Sequence, residues 1–143
     1  MTTRNPRNMI KESERLKSFS NWIYRKDSSV SCTAEKMAKA GFYMISDDEP
    51  DTVKCFVCMK QLDGWEKEDD PFIEHKKHAS YCPFVKFGKE EKDLTLLEYL
   101  SLSEEMETKL LELKHQDDIK QLEKLREQLV KKLAQKDTES KRS

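Results

Sequence analysis

Apolar positions change their rhythm along the chain. From Lys11 to Phe19 a short amphipathic run predicts a helix. Thr33 is placed to N-cap a second helix through Ala40, with Gly41 placed to end it. Phe42–Ile45 and Thr52–Phe56 read as strands on either side of the acidic turn 46–50, and a third extended piece is expected near Lys60–Trp65. Asp70-Pro71 predicts a further helix start, with Asp as cap and Pro where its missing N–H costs nothing; this helix carries His75 and His78 and is expected to end near Ser80. After residue 88 the pattern is purely helical. Thr95-Leu96-Leu97-Glu98 is a capping box. Apolar residues then recur in steps of three and four at Tyr99, Leu102, Met106, Leu110 and Leu113, and resume at Ile119, Leu122, Leu125, Leu129 and Leu133 after a polar stretch, 114–118.

Composition sharpens this division. All four Cys, both Trp, all three Gly and all four Pro precede residue 89. The expected organisation is an N-terminal segment 1–14, a small mixed domain 15–88, a linker 89–98, a long amphipathic helix 99–136 and a disordered tail 137–143. A helix over 95–135 would be about 60 Å long at ~1.5 Å per residue, too long for the small domain to cover, so its stripe calls for a partner. Net charge is −1, from 27 basic and 28 acidic residues among 143, which argues against a diffuse polycationic surface for nucleic acid or anionic membrane. No apolar run approaches the roughly 20 residues of a spanning helix. The first residues lack an apolar signal core and position 2 is not Gly, so an intracellular chain is expected.

In a reducing compartment four cysteines point to metal rather than disulfides. Cys55-Phe56-Val57-Cys58 is a CxxC knuckle, and Cys82 is a third thiolate. The fourth ligand is His75 (C-x2-C-x16-H-x6-C) or His78 (C-x2-C-x19-H-x3-C); generic finger spacing slightly favours His78, and spacing alone leaves both open. Three thiolates and an imidazole close the tetrahedron of one structural Zn2+, with no open position for hydrolytic chemistry, so no enzyme is expected. Cys32 lacks a neighbouring ligand and reads as an apolar filler. Residues 46–74 hold ten acids and three lysines around Trp65, an apolar wall among carboxylates that suits a small side chain on a free α-ammonium.

The segments Arg15–Trp22, Met37–Tyr43, Asp51–Cys58, Gly64–Glu66, Asp69–Pro71, Glu74-His75 and Cys82–Phe84 together resemble the baculoviral inhibitor-of-apoptosis repeat (BIR). The resemblance implies an α+β fold: a zinc-binding three-stranded antiparallel sheet with short helices, here followed by a long C-terminal helix. It implies Cys55, Cys58, His75 and Cys82 as the zinc ligands, which releases His78, and makes Arg15 a structural residue. It implies a groove for peptides that begin with Ala. Leu62 and Trp65 would line the methyl pocket, Asp63 and Asp69 would receive the ammonium with Glu68 nearby, and Lys60 and His78 would face a phosphothreonine at the peptide's third residue.

Single-repeat members with such a helix further imply a non-enzymatic adaptor of the chromosomal passenger complex. Such an adaptor binds a phosphorylated histone tail by its N-terminus, bundles with inner centromere protein and borealin, and localises Aurora B kinase indirectly. The expected locations are nucleus, centromere, spindle midzone and cytoplasm. The alternative is an apoptosis inhibitor that binds caspases or Ala-starting mitochondrial antagonists through the same pocket. The expected partner and homodimer contacts are Leu94, Leu96, Tyr99, Leu102, Met106, Leu110 and Leu113. Asp63 and Glu68 exchange lengths relative to the usual pattern, and Glu91 stands where an aromatic commonly supports dimerisation.

Overall fold

The computed structural model describes residues 4–142; the N-terminal signal and acylation readings concern residues partly outside that range. The chain divides into two compact units, Met1–Lys109 and Leu110–Ser143.

In the first unit a 3-10 turn, Pro6–Ile10, leads into α1 (Glu12–Lys17), which tightens into a second 3-10 turn, Ser18–Asn21. The helix expected over Lys11–Phe19 is therefore shorter in its α part. Ser18 Oγ donates to the Arg15 carbonyl at 2.5 Å and accepts the Met44 N–H at 2.9 Å, an alternative hydrogen bond that ends the regular ladder. α2 (Ala34–Lys39) starts where Thr33 Oγ1 accepts the Lys36 N–H. It ends at Gly41, whose φ is +94°; a Cβ there would lie 3.0 Å from the Phe84 ring. The strands β1 (Phe42–Met44), β2 (Val53–Cys55) and β3 (Gln61–Leu62) form an antiparallel meander in the order β1-β2-β3. Phe42 pairs with Cys55, and Val53 with Leu62. α3 (Pro71–His78) is capped by Asp70, which accepts from the Phe72 and Ile73 N–H groups. α4 (Pro83–Phe87) follows.

The core between sheet and helices holds Trp22, Met37, Phe42, Met44, Val53 and Phe84. At its centre lies a charge. Arg15 is fully buried, donating Nε to the Ala38 carbonyl at 2.9 Å and Nη1 to those of Met9 (2.9 Å) and Ile10 (3.0 Å). Its guanidinium stands 4.2 Å from the Phe56 ring centroid. Burial pulls its pKa down to about 10, against the nearby charges of Glu91 and Glu12. One side chain thus ties the N-terminal turn to α2 and the sheet, which is the structural role the resemblance implies.

α5 (Leu96–Ser140) begins at the expected capping box: Thr95 Oγ1 accepts the Glu98 N–H, and Glu98 Oε2 accepts the Thr95 N–H. It continues past residue 137 because no Gly or Pro interrupts it, so the helix exceeds the expected 99–136 at both ends. Leu102 and Met106, expected to contact partners, are instead buried within the first unit. The base of α5 is fastened there by Lys89–Glu98 (2.8 Å) and Arg7–Glu107 (2.7 Å). Leu94 and Tyr99 are half-buried, and Leu96, Leu97 and Leu100 are exposed.

In the second unit Leu110 is half-buried, while Leu111, Leu113, Ile119, Leu122, Leu125, Leu129 and Leu133 are exposed. No helix among the described residues is long and apolar enough to cross a membrane.

Candidate functional site: a zinc-ligand quartet and a neighbouring polar cavity

The knuckle at the end of β2 is built by backbone geometry. The Met59 N–H donates to the Cys55 carbonyl, and Met59 adopts a left-handed φ of +61°, turning Cys58 back beside Cys55. α3 supplies His75 and the residue before α4 supplies Cys82. The four ligand atoms lie within 4.8 Å of one another, all buried. Cys55 Sγ and Cys82 Sγ are 3.8 Å apart, as are Cys58 Sγ and His75 Nε2. A tetrahedral ion with Zn–S bonds of about 2.3 Å and a Zn–N bond of about 2.0 Å requires edges of roughly 3.5–3.8 Å, so the quartet fits zinc. His75 Nδ1 lies 2.7 Å from the Ala40 carbonyl, which fixes the tautomer with Nε2 toward the metal.

Without metal, Cys55 and His75 hold protons and Cys82 does not. Burial pushes the Cys55 thiol well up. Burial opposes charge on His75, but hydrogen bonds to Cys58 and Cys82 outweigh it and lift its pKa to about 9. Hydrogen bonds from Cys55 and Cys58 hold Cys82 as the thiolate.

His78 stands apart from the quartet, so His75 is the nitrogen ligand. His78→Ala is expected to retain one zinc per chain by native mass spectrometry, whereas His75→Ala loses it. Zinc loss in His78→Ala alone would reverse the assignment.

His78 instead lines a cavity of about 320 Å³ with Lys60, Gln61, Leu62, Asp63, Gly64, Trp65, Asp69 and Glu74. Six of the seven expected peptide-contacting residues therefore meet in one place. Glu68 does not. The turn Glu66–Asp69 is closed by the Asp69 N–H on the Glu66 carbonyl (3.2 Å) and the Glu66 N–H on Asp69 Oδ2 (2.8 Å), which leaves Glu68 exposed at its apex. Trp65 is 6% exposed and packs edge-on against Phe42 and Trp22, so it is both core and cavity wall. Tyr24 Oη donates to its carbonyl at 2.7 Å and steadies the loop. Gln61, Gly64 and Glu74 are lining residues that were not expected; for Glu74, its position four before His78 on one helix face was the available signal. Cys32 is buried, as expected, and its Sγ donates to the Glu66 carbonyl at 3.2 Å.

Residues 15–86 match the family described as BIR, Inhibitor of Apoptosis domain. Baculoviral IAP repeat-containing protein 5.2-A of Xenopus laevis is 48% identical over 95 residues, 66% of this chain and 59% of that protein. Baculoviral IAP repeat-containing protein 5 (survivin) of Rattus norvegicus is 41% identical over 98 residues, 68% of each chain. The crystal structure of the autoinhibited dIAP1-BIR1 domain aligns with a TM-score of 0.48 at 26% identity, covering 62% of this chain and 79% of that one. The chain thus spans about three-fifths of the length of the Xenopus laevis relative. With the matched residues enclosing the complete zinc quartet and the three-stranded sheet, the chain belongs to the BIR family of inhibitor-of-apoptosis domains.

Proposed function

We propose that the protein is a non-enzymatic adaptor. Its BIR domain captures peptides that begin with alanine and carry phosphothreonine at the third residue, and its C-terminal helix bundles with partner helices. The observation that carries this reading is the meeting, in one cavity, of an apolar wall (Leu62, Trp65), two carboxylates (Asp63, Asp69) and two nitrogen donors (Lys60, His78). The wall accommodates a methyl group, the carboxylates receive an α-ammonium, and a lysine and an imidazole suit a dianion a few residues along. β3 lies at the sheet edge, where an extended peptide adds as a further strand.

On this reading the ligand is a phosphorylated histone tail. The exposed Leu113 and the leucines that follow it on α5 face inner centromere protein and borealin, which place Aurora B kinase at centromeres and the spindle midzone. The protein then works in the nucleus and on chromosomes, with a cytoplasmic pool. Leu102 and Met106 take no part in that bundle, being covered by the protein's own domain. A second reading is favoured by the family's description as an inhibitor-of-apoptosis domain: the same cavity takes Ala-starting apoptotic antagonists, or the domain engages caspases.

Calorimetric titration with two Ala-starting peptides, alike except for phosphate on residue three, separates these. Charge-assisted contacts worth about 1.5–3 kcal/mol predict at least a roughly tenfold gain from the phosphate. Lys60→Ala is expected to lose most of that gain. Equal affinities, or a gain that survives Lys60→Ala, would leave the antagonist reading in its place.

A further inference from the structure

The second unit, Leu110–Ser143, contains the C-terminal part of α5. Leu111, Leu122, Leu125, Leu129 and Leu133 are each 54–65% exposed there. At roughly 100° per residue these five fall within an arc of about 80°, with Ile119 at its edge, and the stripe from 111 to 133 is about 33 Å long. A leucine stripe of this length on a solvated helix marks an interface. The order of charges identifies what fits it. Residues 111–118 carry three acids and one lysine, a net charge of −2; residues 126–133 carry three basic residues and one acid, a net charge of +2. A parallel second copy would set like charge on like at both ends. An antiparallel second copy sets each end on its opposite.

We propose that the second half of α5 pairs with a second copy of itself, antiparallel and centred on Leu122. A twofold axis at that point brings Leu122 onto its own counterpart, Leu111 onto Leu133, and Ile119 onto Leu125. The same axis lays residues 111–118 along residues 126–133 of the second copy, so the apolar pattern and the charge pattern select one register. Asp118 then meets Arg126 beside the leucine seam. By symmetry that pair occurs twice, once from each copy, so a change at either residue disturbs both contacts. The pairing depends neither on the peptide cavity nor on the function proposed above. That function gives these leucines to foreign helices; in the chain alone a second copy covers them. The surface is also distinct from the homodimer contacts expected over Leu94–Tyr99.

The test is sedimentation equilibrium of the zinc-loaded full chain, from low-micromolar to submillimolar loading at low salt. The native chain is expected to pass from monomer to dimer across that range, with no larger species. Leu122→Asp places two carboxylates on the axis and is expected to abolish the dimer. Asp118→Arg and Arg126→Asp are each expected to weaken it several-fold, because each sets like charges together at both symmetric contacts. The double variant Asp118→Arg/Arg126→Asp exchanges the partners and is expected to restore the native dimer, which a parallel pairing would not do. All these positions are exposed, and zinc content together with far-ultraviolet circular dichroism verifies that each variant is folded. A chain that stays monomeric at the highest loading overturns the proposal and leaves the stripe to a foreign helix. A dimer that survives Leu122→Asp uses another surface and overturns it too. Failure of the double variant to recover what its single variants lose refutes the antiparallel register.

Discussion

Exhaustive chelation of the zinc-loaded chain is expected to abolish the cooperative fold of residues 15–88. The three-stranded sheet is short, with a two-residue third strand, and the quartet joins β2, α3 and the start of α4. Binding of a structural zinc contributes on the order of 10 kcal/mol in small finger domains, comparable to the whole stability of an ordinary domain of about 5–15 kcal/mol. Cys58→Ser should have the same consequence, leaving three ligands and a buried hydroxyl. Near-ultraviolet circular dichroism of the two buried tryptophans, Trp22 and Trp65, reports the loss directly. The transition carries a pH dependence of fixed sign. Metal-free, His75 holds a proton to about pH 9 and the Cys55 thiol is raised by burial, so zinc must displace both protons. Apparent zinc affinity therefore rises with pH through that range and falls in acid. Native tertiary signals persisting in a metal-free chain would refute the structural role.

Arg15→Leu is expected to cost about 3–5 kcal/mol, although it replaces a charge in the core by a hydrocarbon. Burying a guanidinium is costly in itself, and its depressed pKa records that cost. The replacement nevertheless strands the carbonyls of Met9 and Ile10 and removes the side-chain donor of the Ala38 carbonyl, which keeps the Gly41 N–H. Arg15→Lys should recover only part of the loss, since one ammonium cannot span the same carbonyls in the same geometry. Urea unfolding of the zinc-loaded variants measures both. A Leu variant within ~1 kcal/mol of the native chain would mean that the Met9 and Ile10 carbonyls find other partners.

The parts of this molecule that were legible in its sequence are those governed by local chemistry. Asp70-Pro71 and Thr95–Glu98 announce helix starts because capping needs those atoms at those offsets, and both caps are present. The zinc quartet was legible as a donor set, but the choice between His75 and His78 needed the family resemblance. Which nitrogen reaches the thiolates depends on how α3 lies against the knuckle, a tertiary fact. The same limit explains Leu102 and Met106: a stripe at helical spacing shows that something covers it, not whether a partner or the chain's own domain does. Glu68, expected near the ammonium site, lies exposed outside the cavity lining, and a third reason hid this from the sequence. Within a run of acids, charge could not tell Asp69, which closes its turn, from the neighbour at the apex.

The central claim is that the zinc-supported domain grips a free chain start. The most direct measurement is the affinity of the zinc-loaded chain for the Ala-starting phosphopeptide, with its terminus free and with its terminus acetylated. Acetylation removes the ammonium that Asp63 and Asp69 would hold and keeps everything else, so binding should weaken by roughly tenfold or more. Equal affinity for the two peptides would contradict the account.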